Sequence, residues 1–225
     1  MIAMSVIEVI ILKKEGDITI MTELKDLNII NYLGETQILG LGEIVRYNNR
    51  PKIKTENVAE HTFYVASTVL KLCTIFNLNE TIKNKALEFA IVHDIPEILI
   101  GDVPYDTKVN NPLLREEIEK AEIKSLSDHM PEYLDSYSEF IKEEKIETTA
   151  YLVTKLADTI SVLQYSNREL DLGNNTEQMK NINSGSKERI QNLINKLRDS
   201  IEDFEIKKHI NLSFADGRRD FLWEF

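Results

Sequence analysis

The stretch ENVAEHTFYVASTVLKLCTIF (residues 56–76) decides the fold. Its apolar side chains recur at steps of three and four residues, so they share one face of a helix. The apolar residues of that face are Val58, Val65, Val69, Leu72 and Phe76. His61 lies on the same face, and Asn57 stands where its side-chain oxygen can accept hydrogen bonds from free backbone N–H groups. The pattern predicts a helix over residues 57–77 with a histidine on its buried side.

The rest of the chain repeats this helical periodicity, and strand signals are weak. Only eight glycines and five prolines interrupt the 225 residues, which favours long helices over a turn-rich fold. The stretches YNNRPKIKTEN (residues 47–57) and GDVPYDTKVNNP (residues 101–112) are predicted to be loops. The sequence therefore predicts an all-α protein with one helical bundle domain. The predicted helices span residues 22–32, 35–46, 57–77, 80–94, 112–129, 131–143, 146–172 and 176–204.

Composition and charge exclude several classes of function. Charged residues make up 29% of the chain and hydrophobic ones 42%, which is typical of a globular protein. A formal net charge of -11 argues against binding of a nucleic acid polymer, although one local positive site is enough for a small phosphorylated ligand. The single Cys73 excludes an internal disulfide and a multi-cysteine zinc site. Because there is also no export signal, we expect a cytoplasmic protein.

The N-terminal stretch MIAMSVIEVIIL is apolar but too short to cross a bilayer as a helix, so no membrane span is expected. It also lacks the basic start and cleavage site of a signal peptide. The following KKEGDITIM can be encoded by a purine-rich run that resembles a bacterial ribosome-binding site before the codon for Met21. Two interpretations stay open: residues 1–20 are a mis-called extension, or they form a strand-like arm. The main domain is predicted to span residues 21–225, including an aromatic tail.

A second informative stretch, AIVHDIPEILIGD (residues 90–102), places His93 and Asp94 side by side in an apolar helical pattern. Aspartate is rarely buried without a partner, because burying an unpaired carboxylate is costly. A divalent cation would satisfy the carboxylate together with neutral imidazoles from His93 and His61. Adjacent residues on a helix do not face the same way, but Pro96 predicts a distortion that lets both reach one ion. Taken alone, His61 would be interpreted as a hydrogen-bonded core histidine.

Asp158 is the fourth candidate ligand, since it lies in the middle of the apolar helix YLVTKLADTISVLQY. A salt bridge to Lys155 one turn earlier, or a surface position, would explain it equally well. Two histidines and two aspartates form a nitrogen and oxygen donor set, which suits Mn, Co, Fe, Zn or Mg better than a soft-ligand site. If the ion is six-coordinate, four protein ligands leave room for water and a substrate oxygen, and such an open position is what catalytic metal sites require.

Four further polar residues flank the candidate ligands in the sequence. Glu97 follows His93 by one helical turn and could orient or deprotonate an attacking water. Asp102 follows a glycine and could contact either substrate or metal-bound water, although aspartate is also common in turns. Arg46 and Lys108 could each hold a phosphate. Ordinary solvation is the competing explanation for Glu97 and for both basic residues.

Taken together, these residues resemble the HD-domain phosphohydrolases, whose metal ligands follow the order H…HD…D. The matching motifs are ENVAEH, IVHDIPEILIGD and KLAD, and the resemblance covers about residues 25–200. It is closer to the 5′-deoxynucleotidase branch, the YfbR-like proteins, in which an arginine lies in a loop before the ENVxEH helix. The metal ligands that the resemblance implies are His61, His93, Asp94 and Asp158.

The same resemblance implies roles for the remaining candidates. Glu97 and Asp102 complete the HDxxE…GD pattern and are implied to act in catalysis, with Asp102 also contacting substrate. Arg46 and Lys108 match the substrate-binding arginine and loop lysine. Tyr47 stands where family members often carry a tryptophan that crowds the sugar and favours deoxyribose. This difference leaves the sugar preference open.

The function that the resemblance implies is hydrolysis of (deoxy)nucleoside 5′-monophosphates to nucleoside and phosphate by a divalent metal enzyme. The implied partner is a small nucleotide, and family members are commonly homodimers. Two alternatives stay open. One is an HD phosphohydrolase of another nucleotide, such as a dNTP, an alarmone or a cyclic dinucleotide. The other is a non-catalytic HD fold that binds nucleotide as a sensor.

Overall fold

The computed structural model of this protein describes residues 37–201 and Lys207. The chain divides into two compact units, Met1–Gln37 and Ile38–Phe225. All described residues except Gln37 belong to the second unit. Three predictions lie outside the described residues and stay predictions: the extension at residues 1–20, the helix at residues 22–32 and the aromatic tail.

Between residues 37 and 201 the regular elements are helices, apart from one isolated antiparallel bridge between Val45 and Asn57. Two of them are 3-10 helices, Gln37–Gly42 and Pro131–Tyr133. The all-α class predicted from the sequence is confirmed. Within this described part, no helix combines the length and apolar character needed to cross a bilayer. The α-helices, numbered in chain order, are α1 (Val58–Ile75), α2 (Glu80–Val92), α3 (Glu97–Ile100), α4 (Tyr105–Val109), α5 (Pro112–His129), α6 (Leu134–Ile146), α7 (Thr149–Asp171) and α8 (Glu177–Ser200).

Helix α7 lies at the centre of the bundle, packed against α1, α2 and α8. Fourteen of its 23 residues are buried, which agrees with a sequence that is apolar around most of the helix. Its polar side chains have partners inside the core. For example, Thr154 donates from Oγ1 to the carbonyl of Ala86 on α2 at 3.1 Å. A central helix of this kind can present a functional side chain on a rigid support.

Helix α1 begins as its sequence predicts. The side chain of Asn57 accepts a hydrogen bond from the Glu60 amide at 2.8 Å, and the Glu60 carboxylate accepts one from the Asn57 amide at 3.2 Å. This reciprocal capping box satisfies two backbone donors that a helix start leaves free. The predicted apolar face is buried, and His61 on that face is 0% exposed. The capping box fixes the start of the helix one turn before His61.

The predicted helix at 35–46 is wrong beyond Gly42, where the 3-10 helix ends. The following residues pair with the segment before α1: the Arg46 amide donates to Glu56 O at 2.9 Å, and the Val58 amide donates to Ile44 O at 3.0 Å. These bonds take the backbone groups that a continued helix would have used. The loop predicted at 101–112 also contains the short helix α4, which the sequence analysis did not predict.

Candidate metal centre and substrate cavity

The backbone turns sharply after α2, and this turn brings His93 and Asp94 to one point. Its hydrogen bonds span three residues: the Ile95 amide donates to Val92 O at 3.2 Å, and the Glu97 amide donates to Asp94 O at 3.1 Å. Pro96 has no amide hydrogen and helps to end the regular helix here. As a result, His93 Nε2 lies 3.3 Å from Asp94 Oδ2, although neighbouring side chains on a regular helix point apart.

Two other helices bring His61 and Asp158 to the same point. His61 on α1 places its Nε2 3.6 Å from Asp94 Oδ2 and 3.3 Å from Asp158 Oδ1. Ligand atoms of His61, His93 and Asp94 lie within 4.8 Å of one another. Asp158 reaches this cluster from α7, so the four residues that the sequence singled out as candidate ligands come together in space.

The hydrogen bonds of the two imidazoles leave their Nε2 atoms facing the cluster. His93 Nδ1 lies 2.9 Å from the Ala90 carbonyl, to which it can only donate, so its Nε2 carries a lone pair in the neutral ring. His61 Nδ1 lies 3.2 Å from Ser161 Oγ. Both Nε2 atoms are buried, and neither makes a hydrogen bond of good geometry. Buried polar atoms without partners are destabilising, so these two nitrogens need another ligand.

Electrostatics favours neutral imidazole at His61. Burial, reinforced by the positive charge of Arg46, lowers the pKa of His61 from 6.5 to about 4. A neutral imidazole beside ionised carboxylates is the donor set of a divalent cation such as Zn²⁺ or Mn²⁺. The residues present therefore fit a metal ion, because one cation would satisfy both free nitrogens and the carboxylates at once.

Asp158 divides its two oxygens between two partners. Oδ1 faces His61, and Oδ2 lies 2.5 Å from Nζ of Lys155. Burial raises the pKa of Asp158, but the charge of Lys155 and the contact with His61 outweigh burial and hold the pKa well below its usual value. In the sequence analysis, a salt bridge to Lys155 and a role as metal ligand were alternative explanations for an aspartate in the middle of this apolar helix. The structure contains the salt bridge and also places Asp158 in the cluster.

A cavity of about 730 Å³ opens beside the cluster. It is lined by the segment before α1, the turn after α2, the short helices α3 and α4 with the loop between them, and helices α5 to α8. Every candidate site residue except His61, which lies behind the wall, lines it. These lining residues are Arg46, Tyr47, His93, Asp94, Glu97, Asp102, Lys108 and Asp158.

The carboxylates of Glu97 and Asp102 lie on this wall with raised pKa values. Glu97 is 8% exposed, and its Oε2 is buried without a hydrogen-bond partner. Burial, together with the charges of Asp94 and Asp102, raises the pKa of Glu97 well above its usual value. Burial also raises the pKa of Asp102, which accepts a hydrogen bond from the Tyr47 backbone amide. Gly101 precedes Asp102 at φ 81°, in the left-handed region where glycine is favoured.

The cavity segment that carries Arg46 and Tyr47 is held by side chains the sequence analysis did not single out. Arg46 Nη1 lies 3.4 Å from Oε2 of Glu56, whose pKa burial raises to about 7 against the opposing effect of Arg46. The Tyr47 ring stacks on Tyr165 of α7, with centroids 4.3 Å apart and an interplanar angle of 7°. The Arg46 guanidinium lies 5.4 Å from the centre of the Tyr47 ring.

Glu169 of α7 also holds the loop that follows Arg46 and Tyr47. It is fully buried, and its carboxylate accepts from the amides of Ile53 and Lys54 at 2.8 and 2.6 Å. Asn174 adds a third hydrogen bond to it at 2.8 Å. Tyr165 donates its hydroxyl to Lys54 O at 2.9 Å. Stacking and hydrogen bonds together fix the loop on the central helix.

Lys108 forms a polar group on the cavity wall with Glu122 and Tyr137, two residues that the sequence analysis did not single out. Its Nζ lies 3.5 Å from Oε1 of Glu122, which is 7% exposed, and Tyr137 donates its hydroxyl to Glu122 Oε2 at 2.6 Å. Residues of α5 and α6 are distant in sequence from the HD motifs, so periodicity alone could not associate them with the cavity. For Lys155, in contrast, the spacing of three residues before Asp158 was a usable signal.

The fold is that of HD-domain phosphohydrolases. One similar solved structure is the cyanophage S-2L HD phosphohydrolase described as bound to dA and one catalytic Zn²⁺ ion, with a TM-score of 0.64, 21% identity, and coverage of 85% of this chain and 97% of that one. Another is an HD-domain phosphohydrolase of Listeria innocua, with a TM-score of 0.66, 22% identity, and coverage of 87% and 90%.

The sequence comparison defines the family more narrowly. The family model described as 5′-deoxynucleotidase YfbR-like matches residues 36–207, and the chain belongs to this family. A 5′-deoxynucleotidase of an Enterobacter species is 35% identical over 131 residues, which cover 55% of this chain and 65% of the relative. A 5′-deoxynucleotidase of Photobacterium profundum is 30% identical over 138 residues, covering 58% and 71%.

Proposed function

We propose that the protein is a metal-dependent phosphomonoesterase that hydrolyses (deoxy)nucleoside 5′-monophosphates to nucleoside and phosphate. The observation that carries this proposal is the pair of buried Nε2 atoms of His61 and His93. They lie 3.3–3.6 Å from carboxylates, without good hydrogen bonds, beside a cavity that His93 and Arg46 line. The 5′-deoxynucleotidase relatives support the choice of substrate.

The metal ligands in this proposal are His61, His93, Asp94 and Asp158, and the ion is Mn, Co, Fe, Zn or Mg. When bound, such an ion would polarise a phosphoryl oxygen and lower the pKa of water. Its second function would be electrostatic, because it would offset the two aspartate charges that a phosphate dianion would otherwise meet.

The chain's own residues supply the remaining functions. Arg46 would neutralise the phosphate, since charge stabilisation and positioning dominate phosphoryl transfer. Its planar guanidinium can bind two phosphate oxygens, and the ion pair with Glu56 holds it in place. Lys108, which also lines the cavity, would add a second positive charge. Asp102, held by the Tyr47 amide, would accept a hydrogen bond from a sugar hydroxyl.

Glu97 would handle the proton. Water attacks phosphorus in line with the ester oxygen, the bond to the 5′-oxygen breaks, and the proton of the water passes to the Glu97 carboxylate. The departing 5′-oxygen takes its proton from solvent water in the cavity, because in-line geometry places this oxygen on the side of phosphorus opposite the attacking water and Glu97. Its buried Oε2 has no competing hydrogen-bond partner among the described residues, so it is available to a water in the cavity.

Activity on dAMP, AMP and dATP, with Mn²⁺, Co²⁺, Mg²⁺ and Zn²⁺ in turn, tests the proposal. We expect phosphate release from the monophosphates, with the dAMP to AMP ratio reporting the effect of Tyr47. Asp94→Ala should lose both metal content and activity, whereas Glu97→Ala should keep metal and lose turnover. Preferential hydrolysis of dATP would favour the alternative of another nucleotide substrate. Tight nucleotide binding without turnover under all four metals would favour a sensor.

Two further properties belong to this proposal. The enzyme is proposed to act as a homodimer, as family members commonly do, and sedimentation equilibrium tests this directly. It is also proposed to act in the cytoplasm, which a buried, unpaired Cys73 supports. Fractionation of the native cells, followed by detection of the protein, tests the location.

A further inference from the structure

Lys155 holds a position that the proposed reaction does not yet use. It lies on α7 one turn before Asp158, its side chain is 17% exposed, and it lines the cavity. Its Nζ lies 2.5 Å from Asp158 Oδ2, while Oδ1 of the same carboxylate faces the metal cluster. The Asp158 carboxylate therefore lies between the Lys155 ammonium group and the proposed ion. Lys155 also lines the cavity that a substrate would enter.

The other paired cations on the cavity wall differ from Lys155 in their partners. Among the described residues these pairs are Arg46–Glu56, Arg50–Asp106, Lys108–Glu122 and Arg115–Glu144. None of those carboxylates is a proposed metal ligand. Asp158 alone among the partners would have its charge offset by the ion. Lys155 is thus the paired cation whose electrostatic partner changes most when metal binds.

We propose that Lys155 is a further phosphate-binding residue of this site, in addition to Arg46 and Lys108, and that bound metal would make its charge available to the substrate. The inference rests on the proposed function. An ion bound by the four proposed ligands would offset the Asp158 charge, so the ammonium group would gain a stronger partner in an oxygen of a phosphate dianion. A lysine suits this role because its ammonium group carries three donors on a flexible stem, so it can turn from Asp158 Oδ2 towards a phosphate oxygen.

The alternative is a purely positioning role. Carboxylates that bind metal are commonly oriented by a hydrogen bond to their second oxygen, and losing such a partner weakens metal affinity. The two roles predict opposite effects on metal binding. A lysine near the ion repels it, so removing a phosphate-binding lysine leaves metal affinity unchanged or higher. Removing an orienting lysine lowers it.

Lys155→Met separates these outcomes because methionine keeps much of the aliphatic stem and removes the charge. Binding of Mn²⁺ to the metal-free protein, and of inorganic phosphate to the Mn²⁺-loaded protein, is measured by calorimetry together with KM and kcat on dAMP. We expect the Mn²⁺ affinity of the variant to be within about threefold of wild type, or tighter. Its phosphate affinity should fall, and its KM should rise, by about ten- to hundredfold. Lys155→Arg should recover part of the phosphate affinity.

Lys124→Met is the matched control, since Lys124 also lies 2.5 Å from an aspartate on its own helix but does not line the cavity. It should change neither Mn²⁺ nor phosphate binding. Unchanged phosphate affinity in Lys155→Met, or a loss of Mn²⁺ affinity of about tenfold or more, would overturn the inference. Failure of the wild type to hydrolyse any monophosphate would instead refute the proposed function, while the phosphate titrations would still decide the role of Lys155. Thermal unfolding of each variant controls for folding.

Discussion

Substitution of the buried Glu169 tests whether its carboxylate holds the loop that follows Arg46 and Tyr47. Replacing it by glutamine keeps the size and one acceptor oxygen but turns the other oxygen into an NH₂ group. That group would face backbone amides or the Asn174 side chain, which now donate at 2.6–2.8 Å. A hydrogen bond to a charged group contributes about 1.5–3 kcal/mol, so Glu169→Gln should lower the free energy of unfolding by about 2–4 kcal/mol.

Urea unfolding at pH 7 measures this change, with Asp171→Asn as the control because Asp171 is exposed near the same end of α7. The control should stay within about 0.5 kcal/mol of wild type. Hydrogen bonds from Asn174 and the Ile53 and Lys54 amides overcome burial and hold the pKa of Glu169 below 4.5. Its stabilising effect is therefore complete above pH 4.5 and is lost as pH falls through the lowered pKa.

The stability difference between wild type and Glu169→Gln should consequently be constant above about pH 5 and shrink in acid. A difference below about 0.5 kcal/mol at pH 7 would refute the reasoning that this carboxylate clamps the loop. Since the loop carries Arg46 and Tyr47, kcat/KM on dAMP should fall in the same variant even at temperatures where it is fully folded.

Three further predictions concern the site and its support. The metal-free protein should lose stability as pH falls from 6.5 to about 4, because His61 stays neutral when folded and binds a proton when unfolded. The lowered pKa of His61 corresponds to a loss of about 3 kcal/mol in the free energy of unfolding. A urea-unfolding series over this pH range measures the loss, and His61→Gln should flatten the curve. Gly101→Ala should cost about 1–3 kcal/mol in the same assay, because φ 81° with ψ 165° is a backbone conformation that L residues rarely adopt. Asn57→Ala should cost about 1 kcal/mol through loss of the cap, and circular dichroism melting should detect it.

The features that could be predicted from the sequence are those set by local spacing. The buried face and cap of α1 follow from residues within a few turns of one another, and so does the distortion that Pro96 introduces after Asp94. Proximity of His61, His93, Asp94 and Asp158 was predicted because their chemistry requires a shared partner.

The features that were missed depend on contacts between distant segments. Tyr165 and Glu169 are more than 100 residues from the loop they hold, and no periodicity links them to it. Glu56 lies within the recognised ENVAEH motif, yet its ion pair with Arg46 depends on backbone pairing that replaced a predicted helix. Glu122 lies on a helix whose apolar pattern gives no indication that this residue faces a cavity.

The backbone pairing between Ile44–Arg46 and Glu56–Val58 has a consequence for how the protein tolerates change. It closes the loop at its base, so Arg46 is attached directly to the first turn of α1, the turn that leads to His61. Arg46, the proposed phosphate-binding residue, and His61, a proposed metal ligand, are therefore connected through this short stretch of paired backbone. Because longer loops add only slowly to the entropic cost of closure, insertions near the exposed Asn48 and Asn49 should leave the spacing between those groups unchanged.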